Sequence, residues 1–436
     1  MNNSFFKVLY QSKAKKTKAR LGKINTAHGT VKTPSFVPVA TKGTIKALPP
    51  QFIKDIGTQL AFVNTYHLVT HPGPDLIAKA GGIHNFAKLD IPLMSDSGGF
   101  QVFSLAQNQK SKIKDQNDKV NIKKRSTLQA DIRGSELPLV IKLSDDGVIF
   151  RSTFDGSTIE FTPEKSIEYQ KKIGADLMMA FDECTYYPSS HDYALKAMNR
   201  THSWLERCIT KFKILNFKFK IKPQYLYGII QGAIFEDLRK KSAKFIASQP
   251  VDGVAIGGVS VGETKQEMRD QVRWVAPYLP KDKPVHLLGV GHIDDILDLV
   301  SYGIDTFDCV EPTRLARMGR IYNLNLISTY LRRRKFLSQE NSSSVKRPRQ
   351  TSSFEKILSP SDVFDFDIQK NVYKADLSPV DENCDCYVCQ NFTKAYLHHL
   401  FKQKEILGYT LATYHNLWIM EKLFSQIRKL IEQDKI

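Results

Sequence analysis

The segment DGVAIGGVSVGETKQEMRDQVRWVAPYL, from Asp252 to Leu279, decides the fold class of this chain. It begins as a short apolar run, passes through glycines, and continues as an amphipathic helical pattern. Seven more short apolar runs occur, most of them followed by a helical pattern: SFVPVATKG, LAFVNTYHL, IPLMSDSGG, ADLMMAFDE, YLYGIIQG, PVHLLGVG and GIDTFDCVEPT. Alternating strands and helices predict a parallel sheet, and near-continuous apolar strands predict burial on both faces.

Eight strand–helix units favour a closed (β/α)8 TIM barrel over an open doubly wound sheet. Barrel enzymes carry their chemistry at the C-terminal ends of the strands. Polar residues stand at those predicted ends: Asn64, Asp96, Asp182, Gln231, Glu263 and Asp308. No GxGxxG fingerprint follows an early strand, which counts against an open dinucleotide-binding sheet. We therefore predict an α/β fold with a catalytic barrel over residues 1–324.

The composition is strongly basic, with 63 Lys+Arg against 45 Asp+Glu and a net charge of +18 in 436 residues. Such an excess favours binding to nucleic acid or to anionic membrane surfaces. No run of 18 apolar residues appears, and the N-terminus lacks the apolar core of a signal peptide. We expect a cytoplasmic protein with no membrane partner.

Two polar stretches interrupt the alternation. Residues 106–135 are rich in lysine and asparagine and are predicted to be a basic insertion in the barrel. Residues 325–375 are predicted to be an insertion or linker that is partly disordered. The remaining residues, 376–436, are predicted to form a helical subdomain packed on the barrel.

The motif CDCYVC places Cys384, Cys386 and Cys389 within six residues. Three thiolates and one histidine make a closed tetrahedral site of the structural zinc type. His398, His399 and His415 follow, and spacing alone does not choose among them. A disulfide framework would spread its cysteines along the chain, so we predict one structural Zn²⁺ instead.

The stretch SDSGGFQVFSL, from Ser95 to Leu105, places Asp96 and Ser97 before two glycines. Glycines allow a ligand to approach the backbone closely, and the ring of Phe100 could stack on a planar base. A strand-to-helix turn capped by Asp96 is the alternative interpretation of this motif taken alone.

Two further strand ends carry groups suited to a purine. Asp182, in AFDECTYYP, and Gln231, in GIIQG, can pair with the donors and acceptors of its edge. AIGGVSVGE is expected to expose backbone amides at Gly257, Gly258 and Val259. Each element alone could be a cap or a turn, but all are predicted on one rim of one barrel.

The stretch GIDTFDCVEPTRLARMG sets Asp308 at a strand end, close to Arg314, Arg317 and Arg320. A salt-bridge cluster is one interpretation. The other is a catalytic carboxylate beside a surface that binds a polyanion. Asp308 and Asp96 would then face one glycosidic bond, the usual arrangement for displacement at an anomeric carbon.

The motifs DSGGFQ, FDECTYYP, IIQG, GGVSVGE, FDCVEPTR and CDCYVCQ…HH…HN together resemble the tRNA-guanine transglycosylases, or queuine tRNA-ribosyltransferases. The resemblance covers nearly the whole chain apart from the two interruptions. It implies an irregular (β/α)8 barrel with a zinc subdomain and a homodimeric assembly. It also implies exchange of the wobble guanine in tRNAs with a GUN anticodon for a 7-deazaguanine.

The resemblance assigns Asp308 as the nucleophile and Asp96 as the group that moves protons. Arg314 and Arg317 match positions that contact the anticodon segment, and His415 matches the fourth zinc ligand. The residues it implies for base binding are Asn64, Ser97, Phe100, Asp182, Gln231, Gly258 and Val259.

The incoming base is implied by two further positions. Val261 and Cys184 match the pair found in bacterial members of the family, which favours 7-aminomethyl-7-deazaguanine over the bulkier queuine. Phe100 departs from a tyrosine common in those members, which preserves stacking but removes a hydroxyl.

Two other functions fit the sequence less well. A catalytically silent, tRNA-binding partner subunit would be expected to lack one of the two carboxylates, and both are present. A barrel metallohydrolase would need histidine and carboxylate ligands at the strand ends, and the sequence has no HxH motif there.

Overall fold

The computed structural model describes residues 4–99, 140–152, 154–218, 223–331 and 364–436. The strands are β1 (Phe6–Gln11), β2 (Arg20–Thr26), β3 (Gly29–Thr33), β4 (Ser35–Pro38), β5 (Ala61–Val63), β6 (Leu93–Ser95), β7 (Val140–Leu143), β8 (Val148–Arg151), β9 (Thr158–Phe161), β10 (Leu177–Met179), β11 (Tyr225–Ile230), β12 (Gly253–Ile256), β13 (Val285–Leu287), β14 (Thr306–Cys309), β15 (Arg320–Tyr322) and β16 (Asp365–Asp367).

The α-helices are α1 (Pro50–Ile56), α2 (Thr65–Thr70), α3 (Pro74–Lys79), α4 (Ile83–Ala87), α5 (Pro163–Ile173), α6 (His191–Lys218), α7 (Glu236–Ser248), α8 (Lys265–Val275), α9 (Ile293–Leu299), α10 (Glu311–Arg317), α11 (Tyr387–Asn391), α12 (Lys394–Gln403) and α13 (Ile406–Glu432). None of these helices combines the length and the apolar character needed to cross a membrane, a finding limited to the described residues.

Eight parallel strands form a barrel in the order β4-β14-β13-β12-β11-β10-β6-β5. A parallel bridge between Val39 and Phe62 joins the two ends of this sheet, and the Ala40 amide donates to the Phe62 carbonyl at 2.7 Å. The eight apolar runs of the sequence analysis contain these eight strands, so the predicted barrel is confirmed. Their buried residues pack inside the barrel and against the surrounding helices, as near-continuous apolar strands require.

An antiparallel sheet of β1, β2 and β3 covers the N-terminal end of the barrel. Arg20 of β2 pairs with Asp305, the residue before β14, with Nη2 and Oδ2 2.6 Å apart. His28, in the turn between β2 and β3, lies 2.8 Å from Asp176, the residue before β10. Because both carboxylates are buried, these pairs fasten the sheet to the barrel.

The C-terminal part begins with β15, which pairs with β16 in antiparallel register. The helix α13 packs against α10, α12, β15 and the barrel strand β4. The strand β16, at Asp365–Asp367, lies within residues 325–375, the stretch that was predicted to be an insertion or linker. The division into 1–324, 325–375 and 376–436 stays a prediction.

The predicted insertion at 106–135 lies outside the described residues. Shortly after it, β7, β8 and β9 form an antiparallel sheet that the sequence analysis did not predict. A Cβ added to Gly98 would lie only 2.4 Å from the ring of Phe161 in β9. The sheet of β7, β8 and β9 therefore packs against the DSGG loop.

Candidate active site and metal centre

Asp96 follows β6 at the C-terminal end of the barrel. The Asn64 carboxamide donates to its Oδ2, and the Thr65 amide donates to its Oδ1 at 2.6 Å. Burial raises the pKa of Asp96 to about 7, with a further rise from the charge of Asp182 that hydrogen bonds from Thr65 and Gly98 only partly offset. A carboxyl with this pKa can both give and take a proton near neutral pH.

Asp182, after β10, lies at the centre of a buried polar cluster. Ser97 Oγ donates to Asp182 Oδ1 at 2.8 Å, and Gln231 Nε2 donates to Oδ2 at 2.7 Å. Burial raises the pKa of Asp182 to about 6. The Gln231 Oε1 atom is buried and has no hydrogen-bond partner among the described residues. An unpaired buried acceptor costs free energy, so it calls for a donor from a ligand or water.

Gly258 adopts φ +61° beside this cluster, and a Cβ there would lie 2.3 Å from Gln231 Oε1. Only glycine fits, which explains one of the two glycines after β12. The prediction of an exposed amide at Gly257 is wrong, because that amide donates to the Ile230 carbonyl at 3.0 Å. Val259 is buried.

A fully buried arginine, Arg239 of α7, binds the backbone carbonyls of the loop at Gly257 and Gly258. Its guanidinium donates to the carbonyls of Gly257 at 2.6 Å, Gly258 at 2.7 Å and Ala233 at 2.7 Å. The sequence analysis did not identify it, because EDLRKK resembles any solvated helix face. Nothing in the residue pattern signals its burial.

Asp308 of β14 is 8% exposed and lies at the same end of the barrel as Asp96 and Asp182. His286 Nε2 lies 3.1 Å from Asp308 Oδ1, and the Gly289 amide donates to that same oxygen at 3.0 Å. His286 was also missed, although a histidine inside the apolar run PVHLL was a visible signal.

Four cations lie near one another after the neighbouring strands β4 and β14 and are here called the cationic patch: Lys42, Lys46, Arg314 and Arg317. Burial lowers the pKa of Lys46, and the charges of Arg317, Lys42 and Arg314 lower it further. In the described part of the chain, no ion pair links these cations to a carboxylate. Uncompensated cations this close repel each other, so the patch favours an anionic ligand.

Cys384, Cys386, Cys389 and His415 form a buried cluster that could hold a metal ion. His415 Nδ1 lies 3.9, 3.5 and 3.3 Å from the three sulfur atoms, in that order. In a tetrahedral zinc site, with bonds of about 2.3 Å to sulfur and about 2.0 Å to nitrogen, the nitrogen and each sulfur lie about 3.5 Å apart. The four residues therefore fit zinc. His398 instead contacts the Ile368 carbonyl at 2.8 Å.

The metal cluster is joined to the helix that carries Arg314 and Arg317. His415 Nε2 lies 2.9 Å from the Tyr322 carbonyl, which orients its ring. The next residue, Asn416, donates to the carbonyls of Pro312 at 3.1 Å and Arg320 at 3.0 Å. The cluster thus positions α10 and with it half of the cationic patch.

Two other groups of histidines and carboxylates do not fit a metal. The rings of His28 and His84 stack at 3.5 Å with 16° between their planes. A nitrogen lone pair lies in the plane of its ring, so the two lone pairs point along nearly parallel planes toward different oxygens of Asp176 and cannot converge on one ion. His292 contacts Asp294, and Lys265 and Arg269 also pair with that carboxylate.

Phe100, predicted to stack on the base, lies outside the described residues. Cys184 is buried after β10, and burial raises the pKa of its thiol to about 12, so the sulfur stays neutral. Val261 is partly buried, and Glu263 accepts from its amide at 2.9 Å.

A family model described as queuine tRNA-ribosyltransferase matches residues 15–135 and 127–436. The chain is 40% identical over 424 residues to a queuine tRNA-ribosyltransferase of Thermoanaerobacter pseudethanolicus, covering 97% of this chain and 93% of that protein. It is 39% identical over 430 residues to one of Desulforamulus reducens, with 99% and 95% covered. A Roseiflexus protein of the same name is 40% identical over 421 residues, with 95% and 93% covered. The chain belongs to the queuine tRNA-ribosyltransferase family and is a pentosyltransferase.

Proposed function

We propose that this enzyme exchanges the wobble guanine of tRNAs with a GUN anticodon for 7-aminomethyl-7-deazaguanine. The observation that carries the proposal is the pair of carboxylates Asp308 and Asp96 at one end of one barrel. One is held through a single oxygen, and the other has a pKa of about 7. That difference suits a nucleophile and a proton carrier, respectively.

Base recognition would centre on Asp182. Its oxygens can accept from the ring N–H and the exocyclic amine of guanine, and Gln231 and the backbone around Gly258 and Val259 complete the pocket. Because ionised Asp182 would gain two donors from the base, bound guanine stabilises the charge that burial disfavours. Ser97 holds the carboxylate in place, and Phe100 would stack on the base.

In the first step, an oxygen of Asp308 forms a bond to C1′ of the wobble ribose as the bond from C1′ to N9 breaks. The electron pair leaves with guanine, and Asp96 supplies the proton that makes the departing base neutral. The ribose is then held as an ester of Asp308.

In the second step, the 7-deazaguanine takes the vacated pocket and gives its N9 proton to Asp96. Its nitrogen forms the new bond to C1′, and the ester bond to Asp308 breaks. Two inversions give net retention, and Asp96 ends each cycle in its starting protonation state. Asn64 and Thr65 keep its oxygens in place throughout.

The choice of incoming base is supported by Cys184 and Val261, the pair that the resemblance associates with the aminomethyl base. The cationic patch would bind the anticodon segment, with Arg314 and Arg317 using their planar donor forks. Zinc at the Cys384 cluster would be structural, since four protein ligands leave no open position. The homodimer implied by the resemblance is proposed as the assembled form.

The test is incorporation of labelled guanine into an unmodified tRNA-Tyr transcript. We expect incorporation by the wild type, none with Asp308→Asn, and none with a transcript whose wobble guanine is replaced by adenine. Unlabelled 7-aminomethyl-7-deazaguanine should compete more strongly than queuine. Incorporation that survives Asp308→Asn would refute the assigned nucleophile, and equal competition by queuine would refute the base assignment.

A further inference from the structure

His286 is completely buried inside the barrel, on β13 next to β14. Its Nδ1 lies 2.9 Å from Thr306 Oγ1, and its Nε2 lies 3.1 Å from Asp308 Oδ1. Thr306 and Asp308 are two residues apart on one strand, so their side chains share a face. The three side chains therefore form a continuous line from the barrel interior to the proposed nucleophile.

The direction of these hydrogen bonds follows from the chemistry of the groups. An ionised carboxylate has no proton to give, so the Nε2 atom facing Asp308 must carry hydrogen. In a neutral imidazole, Nδ1 is then the acceptor, and the Thr306 hydroxyl donates to it. Asp308 thus selects the Nε2–H tautomer, and the Thr306 hydroxyl satisfies the remaining Nδ1 acceptor.

The two donors at Asp308 reach only one of its oxygens. His286 Nε2 and the Gly289 amide both lie within hydrogen-bond distance of Oδ1. No hydrogen bond to Oδ2 occurs in the described part of the chain. A carboxylate held this way has one oxygen fixed by donors and one oxygen with its lone pairs unengaged.

We propose that His286 is the positioning residue for the nucleophile, which it holds through Oδ1 so that Oδ2 attacks C1′. The assignment rests on the proposed function of Asp308. Because His286 is completely buried, it would act through Asp308 and not on ribose or base directly. The Nε2–H donor fixes the rotation of the carboxylate through one oxygen and leaves the other oxygen free to attack. Phe62, whose ring stacks on the imidazole at 5.7 Å, limits ring rotation.

The test compares His286→Phe with His286→Gln, using kcat and KM for guanine exchange into tRNA-Tyr. Phenylalanine preserves ring packing against Phe62 but removes the donor, and we expect kcat to fall about 10- to 100-fold with KM for tRNA unchanged. Glutamine places an N–H near the Nε2 position, so it should recover kcat to within about 5-fold of wild type. Thr306→Val keeps shape and removes the hydroxyl, and an intermediate loss of about 3- to 10-fold is expected.

A second readout is the rate at which the covalent tRNA adduct forms when no free base is added. It should fall with kcat in His286→Phe, because positioning acts on the attack itself. Wild-type kcat in His286→Phe, or a loss confined to KM, would overturn the inference. If His286→Phe does not fold, unchanged kcat in Thr306→Val would overturn it instead. A wild type without exchange, or an active Asp308→Asn, would overturn the proposed function itself.

Discussion

The two ends of the barrel both contain buried carboxylates, but their partners differ. At the N-terminal end, Asp305 pairs with Arg20, and Asp176 accepts from His28, His84 and the Leu93 amide. At the C-terminal end, the donors to Asp96, Asp182 and Asp308 are amides, a hydroxyl, carboxamides and an imidazole. The N-terminal carboxylates are paired with an arginine and two histidines, whereas the C-terminal carboxylates are held mainly by amide groups.

The different partners change how folding affects the pKa of each carboxyl group. Burial raises the pKa of Asp176, but hydrogen bonds from His84, Leu93 and His28 outweigh it, so the net pKa is lowered and folding favours the ion. Hydrogen bonds only partly offset the burial of Asp96 and Asp182, so their pKa values rise and folding disfavours the ions. The ionised form of Asp176 should therefore add to the free energy of unfolding, whereas the ionised forms of Asp96 and Asp182 should reduce it.

The largest expected effect is on catalysis at the C-terminal end. Asp96→Asn should lower kcat for guanine exchange about 10²- to 10⁴-fold, because proton transfer to and from the bases is lost. Asp176→Asn is the matched control at the other end and should leave kcat within about 3-fold of wild type. Equal losses of kcat in the two variants, measured at a temperature where both are folded, would contradict the division between the ends.

The next effect is on stability at the N-terminal end. Arg20→Ala leaves the carboxylate of Asp305 buried without its cation, so the free energy of unfolding should fall by about 3 to 5 kcal/mol. Denaturant unfolding monitored by tryptophan fluorescence measures this. The exposed Arg314, replaced by alanine, is the control and should change stability by less than about 0.5 kcal/mol. A comparable loss in both variants would show that the Arg20–Asp305 pair has no special role.

The pH dependence of stability should have opposite signs for Asp96 and Asp176. The folded pKa of Asp96, about 7, exceeds its unfolded value, so its contribution is most favourable at low pH and is lost as pH rises to 7. Asp96→Asn removes this contribution. Its stability relative to wild type should therefore increase by about 2 to 3 kcal/mol between pH 5 and pH 8.

The lowered pKa of Asp176 gives a contribution that is present at neutral pH and lost as pH falls through the folded pKa. Asp176→Asn should therefore become less destabilising, relative to wild type, in acid. Urea unfolding curves at a series of pH values check both signs, and parallel pH profiles for the two variants would refute the assigned shifts.

The smallest effect concerns the cationic patch. Arg314→Gln should raise KM for tRNA about 5- to 10-fold at low salt with kcat unchanged, and the difference should shrink as salt rises. Arg273→Gln, at an exposed arginine of α8 paired with Asp270, is the control and should not change KM. A salt-independent change in KM would argue against an electrostatic contact with RNA.

The sequence by itself determined the barrel and most of the proposed site. Each barrel strand is a short apolar run that ends in polar residues or glycine, because a strand buried on both faces has no polar alternation. Since the carboxyl ends of parallel strands meet at one rim, residues distant in sequence, such as Asp96 and Asp308, could be placed together from the strand pattern alone. The spacing of the cysteines in CDCYVC likewise indicated a metal site.

Only the tertiary structure decided which partners each charge has. The burial of Arg239, the contact between His286 and Asp308 and the convergence of His28 and His84 on Asp176 each join side chains from different elements. Spacing alone left the fourth zinc ligand open; the resemblance implied His415, and the geometry places His415 against the thiolates and His398 against the Ile368 carbonyl. A pKa depends on solvent exclusion and on neighbours within a few ångströms, and neither is encoded in local spacing. The two ends of the barrel therefore look alike in sequence and differ only once the chain is folded.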